Sequence, residues 1–203
     1  MFRLVITDLV GILIKSVNEY SLLKNIIKFK GTAQSLKAYM GDSYEKLLTG
    51  KMKEMIFWNS VIKKTGSKKK MATIKKEFLK SFKPIFDAQL FQKAKENFKF
   101  ALCTDFYHPW LEEIKKLGKF SFDYESISSK TGIKKSSKEA YLGAMLNFKL
   151  KPHECLVVSD EISDLKLAKE LGMHAMLIPG KSKEFKDADY VYEKFDDFLK
   201  ILV

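Results

Sequence analysis

The sequence has few of the residues that stabilise secreted proteins or form membrane spans. Its 203 residues include only two cysteines, Cys103 and Cys155, which is too few for a disulfide framework. Each lies in an apolar, strand-like run, so we expect both to be buried as small hydrophobic side chains. No apolar run reaches the roughly 18 residues of a membrane span, and the first residues lack the layout of a signal peptide. We therefore expect a cytoplasmic protein without a membrane segment.

Arginine is almost absent, because Arg3 is the only one, so lysine supplies nearly all of the positive charge behind the net charge of +12. Residues 15–97 hold 19 lysines and 7 acidic residues, whereas the rest of the chain holds 18 basic and 18 acidic residues. The excess therefore lies in one contiguous stretch, which favours two units with different surfaces. The scarcity of arginine and the lack of a recognised nucleic-acid motif disfavour nucleic acid as a partner.

Outside this basic stretch, strands and helices alternate along the chain. Short apolar runs predict strands at residues 3–7, 99–103, 155–159 and 174–178. These runs are apolar on both faces, which is typical of parallel strands covered by helices on both sides. Helices are predicted at residues 109–118, 137–148 and 162–171. This succession of βαβ units predicts an α/β fold, a Rossmann-like parallel sheet with helices on both faces.

Residues 15–97 have a different pattern and predict an all-helical lobe. Apolar residues recur at helical spacing in segments such as "EYSLLKNIIKF" and "IKKEFLKSF". Glycines and Pro84 separate these segments. We therefore expect two units, a Rossmann-like core made of residues 1–14 and 98–203, and a helical cap made of residues 15–97 that is inserted directly after the first strand.

Acidic residues follow three of the predicted strands. Asp8 follows the first strand, Thr104 and Asp105 follow the second, and Asp160 and Asp164 follow the third. Because ligands of open parallel sheets bind beyond the carboxyl ends of the strands, we expect these side chains to meet at one edge. A single strand-end aspartate often caps a helix. Acids at three strand ends repel one another unless a cation or a lysine neutralises them, which favours a functional site.

Four segments, in order and around a helical insert, resemble motifs of the haloacid dehalogenase superfamily of aspartate-nucleophile hydrolases. The segment "VITDLVGIL" places Asp8 in the nucleophile position, and "ALCTDF" places Thr104 in the position of the phosphate-binding hydroxyl. The segment "LVVSDEISDLKLAKELGMHAMLI" supplies the paired acids Asp160 and Asp164. The resemblance covers nearly the whole chain and is to the branch whose helical cap follows the first strand.

The third motif, "TGIKKSSKEAY", supplies a lysine, for which Lys135 fits the spacing best and Lys134 is the second choice. The resemblance implies that Asp8 attacks phosphorus and forms an aspartyl-phosphate, which splits a difficult hydrolysis into two steps. It implies that Thr104 and Lys135 hold the phosphoryl oxygens. The catalytic residues implied are thus Asp8, Thr104 and Lys135.

The resemblance also implies a magnesium ion, which reduces the repulsion between an anionic nucleophile and an anionic phosphate. The implied ligands are the carboxylates of Asp8, Asp160 and Asp164 and the backbone carbonyl of Val10, all of them hard oxygen donors. The implied partner is a small anionic, phosphorylated substrate, which the basic cap would attract electrostatically.

The chain departs from the family pattern at Val10 and Ile12. Phosphatases of the family carry a second aspartate two residues after the nucleophile, which protonates the leaving group and later activates water. Val10 can do neither, and such acid–base catalysis is typically worth about 10²–10⁴ in rate. One interpretation is a weak or specialised phosphatase that takes its acid from elsewhere. The acidic or basic residues considered for this role are Glu19, Asp42, Glu45 and His108.

Two other interpretations stay open. The first is different chemistry at Asp8, since family members that cleave carbon–halogen or phosphorus–carbon bonds also lack the second aspartate. The halide-cleaving members do not need the metal-binding acid, which this chain retains as Asp160. The second is a protein that has lost catalysis and binds an anionic partner through its basic cap.

Overall fold

The computed structural model describes residues 2–180 and 184–203 of the chain. In this part of the chain, six strands form one sheet in the order β3-β2-β1-β4-β5-β6, and all neighbouring strands are parallel. The strands are β1 (Leu4–Thr7), β2 (Lys99–Thr104), β3 (Tyr124–Ile127), β4 (Cys155–Ser159), β5 (His174–Leu177) and β6 (Tyr190–Val191). The four strands predicted from the sequence are β1, β2, β4 and β5, and the predicted Rossmann-like α/β fold is confirmed.

Helices lie between the strands and in the segment inserted after β1. They are α1 (Glu19–Ile27), α2 (Ala33–Leu48), α3 (Glu54–Thr65), α4 (Met71–Leu79), α5 (Ala88–Asn97), α6 (His108–Gly118), α7 (Ser128–Thr131), α8 (Lys138–Asn147), α9 (Ile162–Glu170) and α10 (Phe195–Leu202). Polar N-cap side chains define where several helices begin. The side chains of Asn18, Thr32 and Asp87 accept hydrogen bonds from the first backbone N–H groups of α1, α2 and α5. None of the helices that the structure describes is both long and apolar enough to cross a membrane.

The central position of β1, between β2 and β4, determines where the residues that follow these strands lie. All four residues of β1 are buried, and Thr7 lies opposite Leu102 of β2 and Val158 of β4. The carboxyl ends of the three strands therefore lie side by side. Residues that follow these strands are brought to a single edge of the sheet, as ligand sites in open parallel sheets require.

The chain leaves and returns to the sheet through two adjacent connections. Lys15 N donates to the carbonyl oxygen of Lys83 at 2.9 Å, and Ile85 N donates to that of Leu13 at 3.0 Å. Ile14 also forms an antiparallel bridge with Pro84. The entrance and exit of the inserted segment are therefore held together by backbone hydrogen bonds.

Helix α5 packs against the sheet side of the molecule. The ring centroid of Phe91 lies 4.7 Å from that of Phe100 in β2 and 6.4 Å from that of Phe195 in α10. Asp196 at the start of α10 also accepts a hydrogen bond from Asp87 N at 2.8 Å. The division between cap and core at residue 97 stays a prediction, and these contacts favour closing the inserted segment near Ile85.

A tryptophan joins the inserted helices to the sheet side of the molecule. Trp110 in α6 is fully buried, and its ring centroid lies 5.5 Å from that of Trp58 in α3 and 5.3 Å from that of Phe78 in α4. The carboxylate of Glu54 accepts a hydrogen bond from the indole N–H of Trp110 at 2.6 Å and from that of Trp58 at 3.0 Å. Lys75 completes this group with an ion pair to Glu54 at 3.1 Å.

Candidate active site

The site is built around Asp8, the first residue after β1. Its side chain is mostly buried, and its Oδ1 atom accepts a hydrogen bond from Leu9 N at 2.6 Å. The hydroxyl of Thr7 donates to the backbone oxygen of Asp8 at 2.7 Å. These local bonds fix the backbone and one carboxylate oxygen, and Oδ2 is directed toward Lys135.

The loop that follows Asp8 is held by its own backbone and by apolar packing. Leu13 N and Ile14 N donate to the carbonyl oxygen of Leu9 at 2.9 and 3.0 Å, and Gly11 N donates to that of Ile14 at 2.8 Å. Gly11 has φ 90°, a backbone conformation that favours glycine. Ile12, the second position at which the chain departs from the family pattern, is buried in the apolar core. Burial of this side chain stabilises the loop.

Asp160 follows β4 and is only 2% exposed. Its carboxylate lies directly against the backbone of Gly11, where a Cβ atom would overlap with it, and against Gly180, whose Cβ would lie 2.9 Å from Oδ2. The Asp160 carboxylate therefore packs against the loop after Asp8 and against Gly180. Its role in holding a cation stays a prediction.

Lys135 brings three acidic side chains together. Its Nζ atom lies 2.5 Å from Oδ2 of Asp8, 3.0 Å from Oδ2 of Asp164 and 3.1 Å from Oε2 of Glu161. Burial alone would lower the pKa of Lys135, but the charges of Asp8 and Asp164 outweigh burial and raise it well above the usual lysine value. Lys135 is therefore a fixed positive charge in the site. Lys134 instead pairs with Glu45 on the surface at 2.8 Å.

Asp164 lies behind this lysine. Its Oδ2 atom accepts hydrogen bonds from the hydroxyl of Ser159 at 2.8 Å and from Nζ of Lys135 at 3.0 Å. Burial raises the pKa of the Asp164 carboxyl, and the nearby charge of Lys135 offsets this shift only in part. The contacts of Asp164 orient Lys135, and its side chain does not line the pocket described next.

A cavity of about 260 Å³ opens above Asp8. The residues that line it are Asp8, Val10, Glu19, Thr104, Asp105, Lys135 and Glu161. The three residues predicted to be catalytic, Asp8, Thr104 and Lys135, thus face one pocket, and the departing residue Val10 lines the same pocket. The roles assigned to these residues stay predictions.

Of the four side chains considered as replacement acids, the structure places Glu19 in the pocket. The other three lie outside its lining: Asp42 pairs with Lys46, Glu45 with Lys134, and His108 contacts Glu112. The pocket also contains Glu161, to which the sequence argument gave no role, although it directly follows Asp160 in the fourth motif.

Asp105 is the remaining acid of the pocket. Its Oδ1 atom accepts a hydrogen bond from the backbone N–H of Lys135 at 2.9 Å, so this side chain is tied to the loop that carries the lysine. Burial raises the pKa of the Asp105 carboxyl, and this outweighs the hydrogen bond and the charges of Lys135 and Lys134, which lower it.

The predicted magnesium ligands fit the ion chemically. The carboxylates of Asp8 and Asp160 are hard oxygen donors, and the pocket contains more carboxylates than basic groups. Their ligand atoms and those of Asp164 do not form a compact set. Within residues 2–180 and 184–203, the one group of three His, Cys, Asp or Glu side chains with all ligand atoms within 4.8 Å is His108, Glu112 and Glu125. In that group, the Lys115 ammonium already contacts both glutamates.

A family model of the haloacid dehalogenase-like hydrolases matches residues 2–172 of the chain. No curated protein matches this chain. Solved structures do, and one is a HAD family enzyme from Bacteroides thetaiotaomicron in complex with magnesium and inorganic phosphate. It has 16% identity and a TM-score of 0.75, and the match covers 92% of this chain and 98% of that chain.

Two other similar structures are dehalogenases. The L-2-haloacid dehalogenase PA0810 has 18% identity and a TM-score of 0.72, with 100% of this chain and 99% of that chain covered. The L-2-haloacid dehalogenase of Xanthobacter autotrophicus, with chloropropionic acid covalently bound, has 14% identity and a TM-score of 0.68, with 100% and 98% covered. At these identities the likeness shows the fold and does not distinguish between the two chemistries.

Proposed function

Because this chain belongs to the haloacid dehalogenase-like hydrolases, we propose that it hydrolyses small phosphate esters, with Asp8 as nucleophile and Mg²⁺ as cofactor. The observation that carries the proposal is the position of Lys135. Its ammonium contacts Asp8 in a pocket that Thr104 also lines, and it contacts Asp164 behind that pocket. A fixed positive charge and a hydroxyl beside a carboxylate nucleophile can hold a phosphoryl group at the point of attack.

The reaction begins with attack of an Asp8 carboxylate oxygen on phosphorus. The bond to the leaving oxygen breaks, and an aspartyl-phosphate forms on Asp8. Lys135 and Thr104 contact the phosphoryl oxygens and stabilise the charge that builds on them in the transition state. Water then attacks the phosphorus of this intermediate, which releases inorganic phosphate and restores the Asp8 carboxylate.

In this proposal the carboxylates of Asp8 and Asp160 and the backbone carbonyl of Val10 would hold Mg²⁺. The bound ion would supply positive charge and so reduce the repulsion between the nucleophile and the phosphate. Oδ2 of Asp164, the predicted fourth ligand, accepts hydrogen bonds from the Lys135 ammonium and the Ser159 hydroxyl, so in this proposal Asp164 also positions that lysine. Its role as a metal ligand stays a prediction.

We assign the choice of substrate to the cap, residues 15–97, which the sequence predicts as a separate unit. This segment carries the whole excess of positive charge. A field of one sign attracts ions of the other sign and raises their local concentration near a cleft. The cap therefore favours a small anionic substrate.

Carbon–halogen cleavage is the second candidate, because Val10 lacks the acid that phosphate monoester cleavage uses. A departing halide needs no proton. The halide-cleaving members of the family, however, do not need the metal-binding acid, which this chain retains as Asp160. The retained acid therefore favours phosphate esters over haloacids.

The test is hydrolysis of a panel of phosphate esters, acyl phosphates and 2-haloacids by the wild-type protein, Asp8→Asn and the surface variant Lys134→Ala. We expect Mg²⁺-dependent phosphate release that Asp8→Asn abolishes and Lys134→Ala retains. Turnover of 2-haloacids without Mg²⁺ would instead establish the second candidate. If the wild-type protein turns over none of these substrates but binds an anion tightly, the result would show that the chain has lost catalysis.

A further inference from the structure

We propose that Asp105 is the proton donor and acceptor that replaces the missing acid at Val10. The inference rests on the proposed phosphatase function and adds a catalytic residue to it. The position of Asp105 motivates it: this carboxyl lines the same cavity as Asp8 and Val10 and directly follows Thr104, which we assign to the phosphoryl oxygens. Asp105 therefore lines the space that a substrate bound by Thr104 and Lys135 would occupy.

The hydrogen bonds of Asp105 suit a group that carries a proton. The backbone N–H of Lys135 donates to Oδ1 at 2.9 Å and fixes the orientation of the carboxyl group. No residue in the described part of the chain donates a hydrogen bond to Oδ2. One oxygen is thus anchored to the loop of the phosphate-binding lysine, and the other can hold a proton and present it to the substrate.

The other acids of the pocket are less suited to this role. Glu161 forms an ion pair with Lys135 at 3.1 Å, so its carboxylate already contacts the phosphate-binding lysine. Glu19 is the first residue of α1 and belongs to the inserted segment, not to the loops that follow the strands. Within the described residues, Asp105 forms no side-chain ion pair, so no ammonium contact opposes its uncharged form.

The charges around Asp105 keep a proton available. Burial raises the pKa of its carboxyl, and the charge of Asp8 adds to this, whereas the backbone hydrogen bond and the charges of Lys135 and Lys134 lower it by less. A phosphate group that enters the pocket brings further negative charge, which again disfavours ionisation of Asp105. Substrate binding thus promotes the protonated acid that the first step requires.

In the first step, Asp8 forms its bond to phosphorus while the bond to the leaving oxygen breaks. The proton on Oδ2 of Asp105 moves to that oxygen, so the product leaves as an alcohol. In the second step the Asp105 carboxylate takes a proton from water, and the water oxygen attacks phosphorus. The bond to Asp8 breaks, phosphate is released, and Asp105 is protonated again. One water is consumed per ester cleaved.

The experiment compares the wild type with Asp105→Asn on two Mg²⁺-dependent reactions. One uses an alkyl phosphate, whose poor leaving group needs a proton, and the other uses p-nitrophenyl phosphate, whose good leaving group does not. We expect kcat for the alkyl ester to fall about 10²–10⁴-fold, and formation of the aspartyl-phosphate from the nitrophenyl ester to fall far less. Glu19→Gln, which removes a carboxylate from the same pocket, should not show this dependence on the leaving group.

A rescue variant separates a proton donor from a structural role. The double variant Val10→Asp with Asp105→Asn should regain turnover of the alkyl ester, because the acid returns to the same pocket at position 10. In the wild type, kcat for the alkyl ester should fall at high pH as Asp105 loses its proton. This fall should be absent in Asp105→Asn. Thermal unfolding of each variant shows whether any loss reflects misfolding.

The outcomes separate this inference from the proposed function. Equal losses on both esters in a folded Asp105→Asn variant, without rescue at position 10, would overturn the role of Asp105 and leave the phosphatase assignment intact. Absence of any Asp8-dependent phosphate release from the wild type would overturn the phosphatase assignment and, with it, the role of Asp105.

Discussion

The Nζ atom of Lys135 lies 2.5 Å from Oδ2 of Asp8, and the two residues are 127 positions apart in the chain. The same ammonium contacts Asp164 at 3.0 Å. Removing the lysine leaves two buried carboxylates without this partner. We therefore expect Lys135→Met to lower the free energy of unfolding by about 3–5 kcal/mol at neutral pH, measured by urea denaturation.

The pH dependence of this effect has a definite sign. The pKa of Lys135 is raised in the folded protein, so its stabilisation is fully present below the ordinary lysine pKa and is lost only as the pH rises through the folded value. Lys134→Met breaks only the exposed pair with Glu45 and should cost no more than about 1 kcal/mol. Equal losses in the two variants would contradict the assignment of Lys135 as the charge that holds the site together.

Val10→Asp should raise the turnover of alkyl phosphates. The new carboxylate enters the pocket at the position where related phosphatases carry their acid, and general acid catalysis is typically worth about 10²–10⁴ in rate. Steady-state kinetics with Mg²⁺ measures the effect. Val10→Asn is the matched control, since it introduces a polar side chain of the same size without a proton to transfer. A similar gain in both variants would show that polarity, and not acidity, limits the natural enzyme.

Gly11→Ala should damage the site more than an ordinary change at a positive-φ glycine. Gly11 has φ 90°, and a Cβ there would overlap with the Asp160 carboxylate, whereas Gly132 has φ 74° and open space around its Cβ position. Backbone strain alone costs about 1–3 kcal/mol at either residue. We expect a larger loss of unfolding free energy and weaker Mg²⁺ dependence in Gly11→Ala than in Gly132→Ala. If the two variants behave alike, Asp160 does not depend on this loop.

Glu54→Gln should loosen the contact between the inserted helices and α6. The Glu54 carboxylate accepts hydrogen bonds from the indole groups of Trp58 and Trp110, and a hydrogen bond to a charged group is worth about 1.5–3 kcal/mol. We expect thermal unfolding at a lower temperature and altered tryptophan fluorescence. Glu113→Gln, which removes the more exposed partner of Lys75, is the control and should have a smaller effect.

The Glu54 carboxylate should also make the protein less stable in acid. Burial alone would raise the pKa of Glu54, but the hydrogen bonds from Trp110, Trp58 and Lys75 outweigh it and lower the pKa. A group whose pKa is lowered by folding stabilises the protein above its ordinary pKa, and this stabilisation is lost as the pH falls through the folded value. The difference in unfolding free energy between the wild type and Glu54→Gln should therefore shrink in acid.

The sequence was informative about the fold because the central strands are buried on both faces. Strands β1, β2, β4 and β5 are continuous apolar runs, and a parallel sheet produces such runs. Strand β3 was not predicted, since it lies at the edge of the sheet and its Tyr124 and Glu125 are partly exposed. The very short helix α7 has too few residues to show a helical period.

Predictions about the site depended on motif order more than on periodicity. Asp8, Thr104 and Lys135 could be brought to one edge because each follows a predicted strand or matches a motif. The contact of Glu161 with Lys135 and the bond from Lys135 N to Asp105 could not, because they depend on how separate loops fold over the edge. Local patterns carry no information about such long-range contacts.

The paired connections at residues 13–15 and 83–85 have a consequence for how the chain could have diversified. Because the two ends of the inserted segment are hydrogen-bonded neighbours, the segment between them can be exchanged without moving β1 or Asp8, which follows it. Helical inserts of different length and charge could be grafted between Lys15 and Lys83. The nucleophile Asp8 would stay in place, and each inserted segment would select a different set of substrates for it.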